Sequence, residues 1–145
     1  MRGSSLGLGE PKSQPSSNQL CHLSGGLAGL QLYGVPAMRN FADYHTHTGS
    51  NPNKFFKSTL FKTKRMLLGL NCLDPGQTQS VHTHADQDKF YFVVDGEGEF
   101  QVGEETRKCG PGLVVWVPAG AKHGVTNTRT HALVLLVGIA PAPGK

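Results

Sequence analysis

Three histidines and four glycines at fixed spacings, all between Gly76 and Asn127, constrain this chain more than any other feature. His82 and His84 stand one residue apart in a short predicted strand, and side chains two residues apart on a strand project from the same face. A third histidine, His123, follows a Pro-x-Gly turn at the start of another predicted strand. Neutral imidazoles that converge from two strands are good ligands for one divalent transition metal. The sequence therefore predicts a metal-binding β-protein.

The same spacings resemble the two short motifs of the cupins, which are small β-barrels. The first motif is Gly, five residues, His-x-His, three or four residues, Glu, six residues, Gly. The second is Gly, five residues, Pro-x-Gly, two residues, His, three residues, Asn. The resemblance implies an all-β fold, a single double-stranded β-helix (jelly-roll) barrel over residues 41–145, but it does not fix the function, because cupins host many unrelated chemistries. The matching residues are Gly76, His82, His84 and Gly96 in the first motif and Gly112, Pro118, Gly120, His123 and Asn127 in the second.

Composition and periodicity agree with a single turn-rich domain. The chain has 145 residues, and its 19 glycines and nine prolines punctuate short apolar runs, as is typical of all-β proteins. After Phe41 the pattern predicts about nine short strands and no long amphipathic helix. Such a pattern indicates a sandwich or a barrel.

Residues 1–40 differ in composition from the rest of the chain. They contain six Ser, seven Gly and three Pro, and Glu10 is their only acidic residue. A segment of this kind buries too little apolar surface to offset its ordering entropy, so we predict disorder. Two other interpretations stay open: an organelle transit peptide, which is also Ser-rich and acid-poor, and a non-native extension before a native start at Met38. We therefore expect an extension at 1–40 and a barrel domain at 41–145.

Charge and cysteine content limit the partners. The formal net charge is +4, but from Phe41 onward 11 basic residues face 9 acidic ones, which argues against a broad basic surface for nucleic acid. Three cysteines are too few for a disulfide framework, and an odd number leaves at least one unpaired. This content favours a reducing compartment, the cytoplasm. No run approaches the roughly 20 apolar residues that cross a bilayer, so no membrane partner is expected.

The fourth position of the first motif departs from the cupin pattern. Counting back from Gly96, Lys89 stands where Glu is expected, whereas the shorter count from His84 gives Asp88. Adjacent strand residues point to opposite faces, so only one of the two enters the barrel unless a bulge intervenes. With Asp88 inside, the metal site has three nitrogens and a carboxylate. With Lys89 inside, which the count from the turn favours, the site resembles the cupins that work with three histidines.

Lys89 and Tyr91 share one strand face, and we predict that both bind substrate. An inward Lys89 would contact a carboxylate or phosphate group beside the metal. The opposite parity places Phe90 and Phe92 on the outer face of the barrel. An outer apolar row needs cover, and a second subunit is the expected cover, in agreement with the homodimers that the cupin resemblance implies.

Two further clusters have competing interpretations. His45-Thr-His47 repeats the His-x-His pattern within a polar Ser/Thr/Asn/Gly-rich loop, and with no third ligand nearby we interpret it as a loop rather than a second metal site. A run of five basic residues without an acid either steers an anionic ligand or charges an edge strand against association, and we favour the edge strand. These residues are Lys54, Lys57, Lys62, Lys64 and Arg65.

Three functions are compatible with these residues. The leading hypothesis is a cupin that holds Zn, Fe, Mn, Ni or Cu through three histidines and acts on a small polar or anionic substrate, by oxygenation, isomerisation or decarboxylation as the resemblance implies. The second is a non-catalytic cupin that binds a sugar or an organic acid. The third is a metal-free isomerase of the sugar-nucleotide type. The metal, the substrate and the reaction are not specified by the sequence.

Overall fold

Two antiparallel β-sheets face each other in the computed structural model, which describes residues 40–144. The predicted extension, residues 1–40, lies outside the described range except for its last residue. Within that range there is one short helix, a 3-10 turn at Tyr44–His47. No described helix is long and apolar enough to cross a membrane. The strands are β1 (Phe56–Lys62), β2 (Leu67–Leu73), β3 (Thr78–His82), β4 (Asp88–Asp95), β5 (Gly98–Val102), β6 (Glu105–Cys109), β7 (Val114–Val117), β8 (His123–Thr126) and β9 (Leu133–Ala140).

The strand order is that of a jelly roll. One sheet has the order β1-β2-β9-β4-β7 and the other β3-β8-β5-β6, so the chain passes repeatedly from one sheet to the other. The prediction of an all-β double-stranded β-helix with about nine strands is confirmed. His84, however, lies just beyond the strand predicted to carry it, because β3 ends at His82.

The core forms between the two sheets from alternating inward side chains. Along β4 the burial pattern alternates without interruption, and Tyr91 and Val93 are fully buried. They pack with Leu133 and Leu135 of β9 and with Phe100 of β5. Each such large apolar side chain contributes roughly 1.5–3 kcal/mol when it is buried. This packing holds the two sheets together.

Two motif glycines occupy turns that other residues would not fit. Gly96 has φ +79°, and a Cβ there would lie 2.4 Å from the carbonyl oxygen of Ala132. Gly120, in the Pro-x-Gly turn, has φ +83°, a conformation that favours glycine. The Gly120 N–H donates to the carbonyl oxygen of His84 at 2.7 Å. This bond joins the second motif directly to the first.

Asn127, the last residue of the second motif, is fully buried and holds backbone together. Its Nδ2 donates to the carbonyl oxygens of Leu73 (2.9 Å) and His131 (2.8 Å). Its Oδ1 accepts from the N–H of Arg129 at 3.0 Å. Asn127 therefore has a structural role just beyond the end of β8.

The outer face of the five-stranded sheet is apolar at its β4–β7 side. Phe90 pairs with Trp116 and Phe92 pairs with Val114. The Phe90 ring covers Gly138 of β9, where a Cβ would lie 2.1 Å from it. Trp116 is 56% exposed and Val114 is 62% exposed.

Candidate metal centre

Strand pairing brings three imidazole rings together at one end of the barrel. His82, the last residue of β3, pairs with His123, the first residue of β8. Their ring centroids are 4.2 Å apart, and the centroid of His84 lies 4.9 Å from that of His82 and 5.5 Å from that of His123. One ring nitrogen from each residue lies within 4.8 Å of the other two. The geometry is therefore that of a three-histidine cluster that could hold a metal ion.

Backbone carbonyls fix the tautomers of two of these rings. His82 Nδ1 lies 2.7 Å from the oxygen of Ser80, and His123 Nδ1 lies 3.0 Å from the oxygen of Ala121. A carbonyl oxygen only accepts, so in the neutral imidazole each Nδ1 carries the proton and each Nε2 keeps a lone pair. Metal-ligating histidines commonly have such a second hydrogen bond, which orients the ring.

The donor set fits a divalent transition metal. Nitrogens bound at about 2.1 Å to one tetrahedral ion lie about 3.4 Å apart, and the three ring nitrogens lie within 4.8 Å of one another before any ion is bound. Burial lowers the pKa of His123 to about 4. Burial and the positive charge of Lys89 also lower the pKa of His84. Both rings are thus neutral near neutral pH, the form that binds a metal.

The structure places Lys89 inside the barrel and Asp88 outside. β4 keeps an unbroken register with β9 from Asp88 to Val93, so the two neighbours face opposite ways. Lys89 is 3% exposed, and its Nζ lies 3.4 Å from His123 Nε2. The Asp88 carboxylate instead accepts from the N–H of Ala119 at 2.9 Å. The structure therefore does not bring Asp88 together with the three histidines.

Lys89 is a buried cation next to the three histidines, which is unusual because burial disfavours a charged group. Burial, and to a smaller extent the positive charge of Lys57, lowers its pKa to about 8. Its ammonium group lies 4.5 Å from the centroid of the Tyr91 ring, a favourable cation–π distance. Because His123 Nε2 holds a lone pair, Lys89 donates to it. A metal bound at this nitrogen would require Lys89 to give up the contact.

The prediction that Tyr91 lines the cavity differs from the structure, in which Tyr91 is not among the lining residues. Tyr91 is 1% exposed, and its hydroxyl donates to Gln79 Oε1 at 2.9 Å. Gln79 and Asn71 line the cavity in its place. Period-2 counting back from His82 points to Ser80 rather than Gln79, but the β3–β8 register shifts between Gln79 and His82, and such a bulge inverts the parity.

A cavity of about 560 Å³ adjoins the histidines, and polar side chains from several strands line it. Its volume is within the range of small-molecule sites, about 300–1,000 Å³. No aspartate or glutamate is among the described residues that line it. The polar and charged lining includes His82, His84, Lys89, Lys57, Asn71 and Gln79.

The other two clusters that the sequence contains, the His45-Thr-His47 pair and the basic run, lie in different parts of the structure. His45 lies on the exposed 3-10 turn, and its Nδ1 contacts Asp43 Oδ1 at 2.8 Å. Among residues 40–144, His45 does not belong to any group of three side chains that could hold a metal ion. In the basic run, β1 is the edge strand of its sheet, as we expected. Lys57 is exposed, as the edge-strand interpretation expects, but it also lines the cavity, which that interpretation did not anticipate.

Comparison with known proteins identifies the family. The Cupin domain family model matches residues 69–139. An uncharacterized protein of Streptomyces coelicolor, SCO3923, is 41% identical over 80 residues, which cover 55% of this chain and 75% of that protein. The crystal structure of TT1209 from Thermus thermophilus is 41% identical, with a TM-score of 0.70, and the match covers 72% of this chain and all of that one. The chain belongs to the cupin family.

A more distant solved structure is described by an activity. A predicted oxalate decarboxylase from Thermotoga maritima is 25% identical, with a TM-score of 0.56, over 58% of this chain and 77% of that one. The first two relatives carry no assigned function in their descriptions. The function of this chain therefore has to be argued from its own site.

Proposed function

We propose that this cupin binds one divalent transition metal, Zn, Fe, Mn, Ni or Cu, through His82, His84 and His123. The supporting observation is the convergence of one nitrogen from each ring to within 4.8 Å. The hydrogen bonds of His82 and His123 to backbone oxygens add support, because they place the proton on Nδ1 and leave the Nε2 lone pair as the ligand; at His123 the ion would replace the Lys89 contact. When bound, such an ion acts as a Lewis acid toward a polar substrate oxygen.

The cavity beside the three rings supports a small anionic organic substrate. Lys89 is the charged group nearest to the proposed ion, at 3.4 Å from His123 Nε2. A buried ammonium without an acidic partner is costly, and an anion bound in the cavity would supply the missing negative charge. Lys89 thus has the role of a substrate-binding residue, while Tyr91 positions Gln79. We propose oxygenation, isomerisation or decarboxylation as the reaction class.

One measurement on the purified full-length protein tests the metal site. Elemental analysis followed by titration with each candidate metal should give one equivalent per chain. His123→Ala should weaken that binding by at least about a hundredfold, since it removes a ligand together with its backbone-oriented geometry. A protein that retains no transition metal and gains none on titration would rule out the proposal. The non-catalytic alternative would be favoured by tight ligand retention without any product.

We propose a homodimer that covers the apolar outer face of β4 and β7. Trp116 and Val114 are more than half exposed there, and exposed apolar patches commonly mark interfaces. Light scattering after gel filtration should give twice the chain mass. Trp116→Glu should shift the protein to monomer, whereas Val81→Glu, at a 49% exposed position on β3, should not.

We also propose a reducing compartment, the cytoplasm, for this protein. Cys72 and Cys109 are free and buried, and burial raises the pKa of both thiols. Such thiols remain protonated and unreactive. Thiol counting on the unfolded protein from its native host, without reductant, should find both free.

A further inference from the structure

Lys57 lies on the edge strand β1 and yet lines the same cavity as the three histidines. Its Nζ lies 4.7 Å from the centroid of the Phe55 ring, a cation–π contact that keeps the charge at the cavity wall. In the described part of the chain, no carboxylate lies within salt-bridge distance of Lys57 or Lys89. The cavity therefore contains two cations that the protein does not neutralise.

The two lysines approach the cavity from different sides. Lys57 pairs with Asn71 of β2, whereas Lys89 of β4 pairs with Ile139 of β9. Strands β2 and β9 separate β1 from β4, and the strand registers place Lys57 level with Val93, four residues along β4 from Lys89. Both lysines line the same cavity, Lys89 from a buried position and Lys57 from an exposed one, so a ligand in the cavity can reach both ammonium groups.

Gln79 adds an oriented donor to the same cavity. Its Oε1 accepts from the Tyr91 hydroxyl at 2.9 Å and from Asn71 Nδ2 at 3.5 Å. With the oxygen occupied, the Nε2 group is the end of the amide that remains for a ligand. Two ammonium groups and one amide N–H₂ therefore face a cavity that lacks carboxylates, an arrangement suited to carboxylate oxygens.

We propose that the cavity binds a small organic dicarboxylate, with one carboxylate at Lys89 beside the histidines and the other at Lys57, where Gln79 assists as a donor. This inference rests on the proposed function, because it names the substrate class of the same site. A dianion neutralises both cations at once, which a monocarboxylate does not. Lys57 is the residue that determines specificity for the second carboxylate.

Calorimetric titration of the full-length protein with succinate and with butyrate tests this inference, because both acids have four carbons and differ in one carboxylate. At equal ionic strength, wild type should bind succinate about fivefold more tightly than butyrate, since an ion pair with the exposed Lys57 contributes up to about 1 kcal/mol. Lys57→Met should abolish this preference and leave butyrate binding unchanged. Lys57→Arg should retain most of it. Lys62→Met, exposed on the same strand, is the matched control and should behave as wild type.

The outcomes separate the dicarboxylate inference from the metal site. Wild type that binds neither acid, or both equally, overturns the inference, and so does an equal loss in Lys57→Met and Lys62→Met. Elemental analysis of each variant reports the metal independently. If Lys57→Met keeps the wild-type metal content and loses the succinate preference, both proposals stand. If wild type holds no metal but prefers succinate, only the metal proposal fails. Should Lys57→Met not fold, Lys57→Gln provides the same test.

Discussion

The chain contains the His-x-His pattern twice, and the two copies lie in different settings. His45 and His47 belong to a 3-10 turn on the surface, where the first ring contacts Asp43. His82 is the last residue of β3 and His84 lies just beyond it, and both rings are close to His123. The comparison shows that the pattern alone does not define a metal site. Pairing of β3 with β8 supplies the third ring.

The backbone explains the difference. A 3-10 helix has about three residues per turn, so side chains two residues apart point in well-separated directions. An extended chain returns to the same face every second residue. The His45 ring also stacks on Tyr44, with centroids 3.9 Å apart. We therefore expect the first pair, His45 and His47, and the second pair, His82 and His84, to respond differently to substitution.

The largest effect is expected when alanine replaces the second pair, and the same exchange in the first pair is the control. His82→Ala/His84→Ala removes two of three ligands and should weaken metal binding by about a thousandfold or more, roughly 4 kcal/mol. His45→Ala/His47→Ala should leave the dissociation constant within about twofold, a few tenths of a kcal/mol. Titration with the metal found in the native protein measures both. An equal loss in the two double variants would mean that the first pair belongs to the site.

The second effect is a pH dependence of the stability of the protein, caused by His123, which lies next to the second pair. The pKa of His123 is lowered to about 4 from about 6.5 in the unfolded chain. Between these values the unfolded state binds more protons, so stability rises with pH and is lost as the pH falls toward 4. For the metal-free protein, the loss between pH 7 and pH 4.5 should be on the order of 2 kcal/mol.

Urea unfolding at several pH values measures this dependence. His123→Gln should flatten the profile between about pH 4.5 and pH 7, since its amide does not titrate. His45→Gln, which changes an exposed ring of the first pair, should keep the wild-type slope. An unchanged slope in His123→Gln would show that other groups cause the acid sensitivity.

The third effect concerns the cation beside the second pair. Lys89→Glu should tighten metal binding by about tenfold or more, because it replaces an ammonium near His123 with a potential carboxylate ligand. Lys89→Met should give an intermediate gain by removing the charge alone. Asp88→Asn, on the outer face, should leave the metal affinity unchanged. Equal affinities in Lys89→Glu and wild type would contradict the position of Lys89 next to the ion.

Much of this arrangement follows from periodicity and turn chemistry. The strand order along the chain, the glycine turns and the inward face of β4 are local properties, so the sequence predicts them. The inward position of Lys89 follows in the same way, because β4 keeps its register from Asp88 to Val93. The convergence of His123 with His82 is not local, and the cupin resemblance supplied it.

The predictions that missed or misplaced residues of the cavity were wrong for physical reasons. Gln79 lies before a register shift on β3, and one extra residue there inverts the face that counting assigns. Lys57 belongs to a run of basic residues whose other members are typical of an edge strand. Tyr91 has the predicted parity but lies too deep, and Gln79 stands between it and the cavity as its hydrogen-bond partner.

The smallest effect is expected at the first pair itself. Asp43 caps the 3-10 turn: its Oδ1 accepts from the His45 N–H at 3.0 Å and contacts His45 Nδ1 at 2.8 Å. Both contacts are exposed, so Asp43→Ala should lower the thermal midpoint by a few degrees at most. Metal affinity should not change, because the turn is anchored to β1 by Ser58 Oγ, which donates to the oxygen of His47 at 2.7 Å. Calorimetric melting and metal titration of the same sample measure both quantities. A tenfold change in metal affinity would show that the first pair is coupled to the second, and the contrast between them would then be one of degree.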